Sequence, residues 1–386
     1  MRITHAHWIA ALAAASLAAG CGDGGGSSGG LGGTGGITGA GGSGGGPSEE
    51  DTLLIGDDAR FVVVADESKG LNVPRDLDFH PERGEAWIVN RADDSVTIVW
   101  DVTGDATLWE HRIDGYALHF MEEVSSISFG AKNFDGDYTF GTCQESANTY
   151  NDQYEANYFM GPALWSAHPD VFAMSNPYGL GAHLDMLHES PYCMGIAHEV
   201  DNVYWVFDGY NSRLVRYDFQ VDHDIGQDDH SDGIVRVLGD PRVKRVPDVP
   251  SHLHLDKEAG LLYVADTGNQ RILWLDVDSG EFSSDISAFS KDGGTLERWK
   301  GFDWGELVPA ASGALALPSG ITLHDGVLYV SDNATGEIVA FDLEGNVLRR
   351  MTTDAEAGGL MGIEVGPDRR LYYTDAVGNR VVRVER

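Results

Sequence analysis

The chain has 386 residues and a formal net charge of −35 at neutral pH, because 61 acidic side chains outnumber 26 basic ones. A charge of this size and sign repels the phosphate backbone of nucleic acids and the face of an anionic membrane, so neither is expected as a partner. It attracts divalent cations and basic ligands instead.

The first 20 residues predict a secretory signal peptide. Arg2 is followed by an apolar run from Trp8 to Ala19, which is too short to span a bilayer as a mature helix. The small residues before Cys21 resemble a bacterial lipobox. That resemblance implies cleavage before Cys21 and attachment of a lipid to its thiol, whereas the alternative is an ordinary signal peptide followed by an incidental cysteine.

Residues 21–48 predict a glycine- and serine-rich linker held by the lipid anchor. Sixteen of the 26 positions from 22 to 47 are glycine. Such a segment buries too little apolar surface to offset the entropy of ordering it. We expect it to tether residues 49–386 to the cell envelope, and the resemblance to bacterial lipoproteins favours the outer membrane, facing the periplasm or the surface. The lipid is the only membrane contact expected.

One pattern recurs after residue 70: a short strand with an apolar centre, a turn, a second strand rich in tyrosine and valine, and a turn opened by aspartate. Six copies align on their apolar centres, which are Leu77, Ile127, Ile196, Leu253, Ile321 and Ile363. The spacing leaves room for four antiparallel strands in each copy. The sequence therefore predicts an all-β protein, a six-bladed β-propeller.

The last copy has only three strands, which would leave an open sheet edge. The segment "ARFVVVADE", residues 59–67, precedes the first copy and has no partner of its own. We predict that it closes the ring as the outer strand of the last blade.

The repeats, among them "VPSHLHLDKEAGLLYVADTGNQRILWLD" and "LPSGITLHDGVLYVSDNATGEIVAFD", resemble the NHL family of six-bladed propellers. This broader group includes the peptidyl-hydroxyglycine amidating lyase domain. The resemblance covers about residues 60–386 and implies the fold. It implies no single function, because this architecture serves binding modules, scaffolds and several enzymes.

Tyr210, in "DGYNSR", matches the segment that carries the catalytic tyrosine of the amidating lyase, and is therefore a candidate catalytic residue. The alternative is a ring that covers the mouth of the channel. The lyase binds zinc through three histidines that follow prolines, and here those places hold Arg75, Ser251 and Ser319. The resemblance therefore does not support lyase activity.

Two histidines in "SHLHLD", His252 and His254, lie two residues apart on a strand and point the same way. Together with His188 or Asp76 they could bind a transition metal such as zinc or copper. The alternative is that they pack between blades and bond to backbone carbonyls.

The acidic loop "DHDIGQDDHSD" offers Asp222, Asp224 and Asp228 as calcium ligands, although it lacks the EF-hand pattern. The alternative is a solvated acidic loop. Cys143 and Cys193 are the cysteines that remain if Cys21 carries a lipid, and in an oxidising compartment we expect them to form a disulfide between two blades.

Two long insertions, residues 144–178 and 283–318, are rich in aromatic side chains and are expected to enlarge the face of the ring that carries Tyr210. The ligand-binding residues predicted there are Arg75, Asp76, Trp299 and Trp304. The leading hypothesis is a monomeric, lipid-anchored envelope propeller that binds a ligand or an envelope protein, with a divalent metal as a possible component. The rival hypothesis is a metal-dependent lyase or hydrolase that uses Tyr210 and His252.

Overall fold

The computed structural model describes residues 53–106, 108–147, 158–174, 179–286 and 292–386. These residues form six small sheets arranged as the blades of a propeller. The innermost strand of each blade contacts the innermost strands of both neighbouring blades, and the last of these contacts joins blade 6 to blade 1. The predicted all-β, six-bladed fold is confirmed. The predicted signal peptide, Cys21 and the predicted linker lie outside the described residues.

The strands follow the chain in order, and β1 (Arg60–Ala65) precedes the first blade. Blade 1 contains β2 (Pro74–Phe79), β3 (Ala86–Asn90), β4 (Ser95–Val99) and β5 (Trp109–Ile113). Blade 2 contains β6 (Val124–Lys132), β7 (Tyr138–Gln144), β8 (Ala163–Ser166) and β9 (His183–Met186). Blade 3 begins with β10 (Cys193–His198), β11 (Val203–Asp208), β12 (Arg213–Asp218) and β13 (Ile234–Leu238).

Blades 4 to 6 repeat the same antiparallel order. Blade 4 contains β14 (Leu253–Asp256), β15 (Leu261–Asp266), β16 (Arg271–Asp276) and β19 (Trp304–Val308). Blade 5 contains β20 (Pro318–His324), β21 (Val327–Asp332), β22 (Glu337–Phe341) and β23 (Val347–Thr352). Blade 6 contains β24 (Leu360–Val365), β25 (Leu371–Asp375) and β26 (Arg380–Glu385).

Among the described residues, helical structure is limited to short pieces. The α-helix α1 spans Ala117–Phe120, between blades 1 and 2, and 3-10 turns span Glu67–Lys69, Thr267–Asn269 and Ala310–Ser312. No helix among the described residues has the length and apolar character needed to cross a membrane.

The ring closes as predicted. Strand β1 pairs antiparallel with β26, so that Phe61 lies opposite Val384 and Val63 opposite Val382. The first described strand and the last therefore share one sheet, and β1 covers the edge that blade 6 would otherwise leave unpaired.

The six apolar centres identified in the sequence all lie on inner strands and line one cavity along the axis of the ring; they are Leu77, Ile127, Ile196, Leu253, Ile321 and Ile363. Each of these side chains is buried in a hydrophobic cluster that two adjacent blades share, because alternation with period two directs side chains toward the faces of the blade.

A repeated turn joins the second and third strands of several blades. Asp208 accepts a hydrogen bond from Nε of Arg213 at 2.8 Å, and Asp266 accepts one from Nε of Arg271 at the same distance. Blade 6 repeats the contact with Asp375. Its recurrence supports the interpretation that these aspartates stabilise turns.

The described part of the insertion at residues 283–318 pairs with sheet edges and does not form a loop over the channel. Strands β17 (Glu281–Asp285) and β18 (Thr295–Lys300) extend blade 3 at its outer edge, where β18 pairs parallel with β13. Blade 3 consequently has six strands. Cys143, in β7, and Cys193, in β10, form a disulfide between blades 2 and 3, as predicted.

Candidate functional site

The axial cavity has a volume of about 230 Å³ and contains the two histidines predicted to bind a metal. His252 donates a hydrogen bond from Nε2 to the backbone carbonyl of Ser125 at 3.1 Å, and its Nδ1 lies 3.5 Å from Asp76. Burial lowers the pKa of both His252 and His254 to about 4. His252 thus already uses one ring nitrogen to join two blades, which matches the structural alternative for this residue.

The carboxylates of the axial cavity also join blades. Asp76 accepts the backbone N–H of Ile127 at 3.1 Å, and Asp78 accepts that of Phe129 at 2.8 Å. Glu364 accepts a hydrogen bond from the hydroxyl of Thr322 at 2.8 Å. Burial raises the pKa of Asp78 to about 6. Burial and then the nearby Asp78 carboxylate raise the pKa of Glu364 to about 8.

The predicted ligand-binding set is not gathered at one place. Arg75 is buried at the Tyr210 face of the ring, where its guanidinium donates to the sulfur of Met361, and Asp76 lies in the axial cavity. Trp299 lies in β18 and Trp304 in β19, both on outer strands. Trp299 and Trp304 lie away from Arg75 and Asp76 because β18 pairs with the edge of blade 3 and β19 forms the outer edge of blade 4. Binding by these residues stays a prediction.

Tyr210 lies on the turn between β11 and β12 and its side chain is about half exposed. Its ring packs edge-on against Tyr158 at 6.2 Å and lies 6.4 Å from the ring of Tyr192. These contacts describe an aromatic cluster on the surface. A catalytic role of Tyr210 stays an untested prediction.

His188 does not accompany His252. It lies in a second cavity of about 240 Å³ between blades 2 and 3, which we call the histidine cavity. Its lining residues are Tyr116, His119, Phe120, Phe159, Leu180, His188, Asp228, His230 and Asp292. The structure therefore does not bring His188 to His252 and His254, because His188 follows the outer strand β9, away from the axis. Metal binding by His252 and His254 stays a prediction.

The segments that build this cavity depart from the plain four-stranded repeat. They are α1, the residues that follow β9, the loop between β12 and β13, and the connection between β17 and β18. The two acidic and histidine-rich stretches "HLDMLHES" and "DHDIGQDDHSD" meet here, although they lie on different blades. Asp185 and His230, which are 45 residues apart, are in direct contact.

Two imidazoles of the histidine cavity are each bonded to a carboxylate. Nδ1 of His188 forms a short hydrogen bond with Asp292, a residue 104 positions away in the chain. Nδ1 of His230 bonds to Asp185 at 2.6 Å. A carboxylate on Nδ1 fixes the ring and leaves Nε2 as the nitrogen available to a ligand.

Nε2 of His188 is buried and has no hydrogen-bond partner among the described residues, and the residue as a whole is only 5 % exposed. The ring of Phe159 stacks on that of His188 with centroids 4.3 Å apart, and also on His119. Burial, followed by the neighbouring histidines, lowers the pKa of His119 to about 3. The cavity therefore combines aromatic faces with hydrogen-bond acceptors.

The three aspartates predicted to bind calcium are not brought together. Asp222 accepts a hydrogen bond from the amide of Asn202, and Asp228 lines the histidine cavity. Within the described residues, the one cluster of three potential metal ligands is Asp185, His223 and His230. Asp224 is not part of it. Calcium binding by Asp222, Asp224 and Asp228 stays a prediction, and the structure does not show these three carboxylates as one cluster of potential ligands.

Several solved structures share this fold. An auxiliary nutrient binding protein from Bacteroides ovatus matches with a TM-score of 0.53 at 10% identity, covering 85% of this chain and 76% of that one. An auxiliary nutrient binding protein from Bacteroides thetaiotaomicron matches with a TM-score of 0.52 at 11% identity, covering 81% of this chain and 68% of that one. A luciferin-regenerating enzyme matches with a TM-score of 0.52 at 13% identity, covering 85% of this chain and 95% of that one.

At these identities the likeness shows the fold alone, and it places this chain among the six-bladed propellers. No protein-family model and no curated protein sequence matches the chain. Its membership of the NHL family stays a prediction.

Proposed function

We propose that this protein is a cell-envelope propeller that binds a small polar molecule in the histidine cavity. Lipidated Cys21 and the glycine-rich segment 21–48 would hold the propeller at the membrane. The names of two structural neighbours, both nutrient binding proteins, agree with a role in binding.

One observation carries the proposal: the buried Nε2 of His188, which lacks a partner among the described residues. Leaving a buried polar atom unpaired costs about 1–3 kcal/mol, so such atoms usually have a partner in the functioning protein. The Asp292 carboxylate bonded to Nδ1 makes Nε2 a good acceptor. A hydroxyl or an N–H of a bound molecule supplies the missing donor.

The remaining lining defines the chemistry of that molecule. Asp228 adds acceptor oxygens, and Tyr116, Phe120 and Leu180 add apolar surface. The net charge of −35 disfavours an anion. We therefore expect a small neutral or cationic molecule with several hydrogen-bond donors, such as a sugar, a polyol or an amine.

The test is binding of a panel of monosaccharides, polyols and diamines, measured by calorimetry. His188→Leu removes the acceptor with little change in volume, and we expect it to weaken binding of any hit about tenfold or more. His324→Ala, on blade 5, is the matched control and should bind like the wild type. Equal affinity of His188→Leu and wild type, or no hit in the panel, would contradict the proposal.

The rival hypothesis joins Tyr210 with His252 in an enzyme. The described contacts give it less support, because Tyr210 packs against other tyrosines while His252 bonds to the carbonyl of Ser125. Assays of the same panel for product formation distinguish the two hypotheses. The lipid anchor is tested separately: Cys21→Ser should lose incorporation of a labelled fatty acid.

A further inference from the structure

Three side chains at the edge of the histidine cavity come together from two blades. Asp185 belongs to β9 of blade 2, whereas His223 and His230 belong to the loop between β12 and β13 of blade 3. One potential ligand atom from each lies within 4.8 Å of the other two. Asp185 is fully buried, and His230 is nearly so.

The spacing of these atoms matches a metal coordination sphere. Nε2 of His223 lies 3.5 Å from a carboxylate oxygen of Asp185 and 3.2 Å from one of Asp232. Ligands bound to a tetrahedral ion at about 2.0–2.2 Å lie about 3.3–3.6 Å from one another. Nε2 of His223 and the carboxylate of Asp185 therefore need little movement to share an ion, whereas His230 must exchange its hydrogen bond to Asp185 for the ion.

Two of the atoms lack the hydrogen bonds that buried polar atoms normally make. Oδ2 of Asp185 and Nε2 of His223 are both buried without a hydrogen-bond partner in the described part of the chain, and they face each other. Oδ1 of Asp185, in contrast, accepts from His230 and from the backbone N–H of Met186. A cation between the unpaired oxygen and nitrogen would satisfy both.

We propose that Asp185, His223 and His230 bind a divalent transition-metal ion, with Asp232 as a fourth ligand. Two imidazoles and carboxylate oxygens suit zinc and its neighbours in the first transition row, whereas calcium and magnesium prefer oxygen ligands alone. The site differs from both metal sites predicted from the sequence, since it uses neither His252 nor the three aspartates of the loop.

The metal site goes beyond the proposed function but lies close to its cavity. His230 belongs to both, and its ring centroid is 6.5 Å from that of His188. The ion would fix the loop between β12 and β13 against β9 and thereby hold one wall of the histidine cavity in place. His223 and Asp232 are not among the residues that line the cavity, so the two sites can be tested separately.

The experiment uses the full chain, purified in neutral detergent and stripped with a chelator. Titration with zinc by calorimetry should show one ion per chain, and cobalt should give the visible absorption of a tetrahedral site. We expect His223→Ala to weaken zinc binding about 100-fold or more. Asp232→Asn should have a smaller effect in the same direction, and His324→Ala is the control.

The proposal would be overturned if His223→Ala bound one zinc ion per chain as tightly as the wild type does. It would also be overturned if the wild type bound no stoichiometric zinc. Tighter binding of calcium than of zinc would also overturn it. Thermal unfolding of each variant shows whether it folds. If His223→Ala does not fold, zinc binding by Asp232→Asn still tests the proposal. A wild type that binds zinc but no molecule of the panel leaves the metal site standing and refutes only the proposed function.

Discussion

The axial cavity and the histidine cavity contain the same kinds of side chain, yet those side chains are used differently. In the axial cavity, Asp76 and Asp78 accept backbone N–H groups from the next blade. In the histidine cavity, the imidazoles of His230 and His188 bond to Asp185 and Asp292, and His188 keeps a ring nitrogen without a partner among the described residues. Burial of ionisable groups therefore does not by itself identify a binding site. The groups to which they are hydrogen-bonded say more about whether they stabilise the fold or bind a ligand.

The difference follows from where each cavity lies in the repeat. Inner strands must pack against two neighbouring blades, so their polar side chains serve contacts between blades. The histidine cavity is built from insertions at the perimeter, which the repeat does not constrain. The predictions below separate a region that stabilises the ring from a region that binds.

The largest effect on stability is expected at the disulfide between blades 2 and 3. Cys143 and Cys193 are 50 residues apart, and closing a loop of that length stabilises a fold by about 4 kcal/mol in the chain-entropy treatment. Replacing both by alanine should lower the free energy of unfolding by roughly that amount, measured with denaturant. Wild type whose disulfide has been reduced should lose a similar amount of unfolding free energy. A loss below about 1 kcal/mol in the double variant would contradict the expectation.

The next effect is expected in the axial cavity. Asp76→Ala leaves the backbone N–H of Ile127 buried without its acceptor, which should cost about 2–3 kcal/mol of unfolding free energy. Ligand and zinc binding should be unchanged, since Asp76 lies outside the histidine cavity. Asp57→Ala, at an exposed position, is the control. Unchanged stability together with lost binding would reverse our assignment of the two regions.

A pH-dependent effect, smaller within any one pH unit, is expected at Glu364. Its pKa rises from an ordinary 4.5 to about 8, so between those values the folded state holds a proton that the unfolded state has released. Stability therefore falls as pH rises through this range, by up to about 1.4 kcal/mol per pH unit.

Glu364→Gln cannot lose a proton, so its unfolding free energy should decline less between about pH 5 and pH 8 than that of the wild type. The measurement is denaturant unfolding at several pH values, with Glu344→Gln at an exposed position as the control. Parallel curves for Glu364→Gln and wild type would show that the carboxyl group does not titrate in this window.

The smallest effect is expected at Tyr210. Tyr210→Phe keeps the ring that packs against Tyr158 and Tyr192, so stability should change by less than about 0.5 kcal/mol. Binding in the histidine cavity should not change. Loss of a catalytic activity in this variant would instead favour the rival enzyme hypothesis.

The sequence was most informative where the signal is local and repeated. Three features indicated their own places in the ring. They are the apolar centres such as Leu77 and Ile321, the aspartate and arginine five residues apart in the turns, and the segment 59–67, which has no partner near it in the sequence. It did not indicate that Trp299 and Trp304 lie in outer strands, because the pairing of an insertion depends on which sheet edge is available. It also failed for the histidines, since their partners lie on other blades.

The sequence by itself determined the ring: period-two alternation, turn residues and the count of repeats are properties of neighbouring residues, and they fix six blades and their closure. Only the tertiary structure decided that His188 meets Asp292 and that Asp185 meets His223 and His230. Contacts between segments 45 and 104 residues apart leave no periodic trace in the chain, because insertions pack according to the surfaces that the finished blades present.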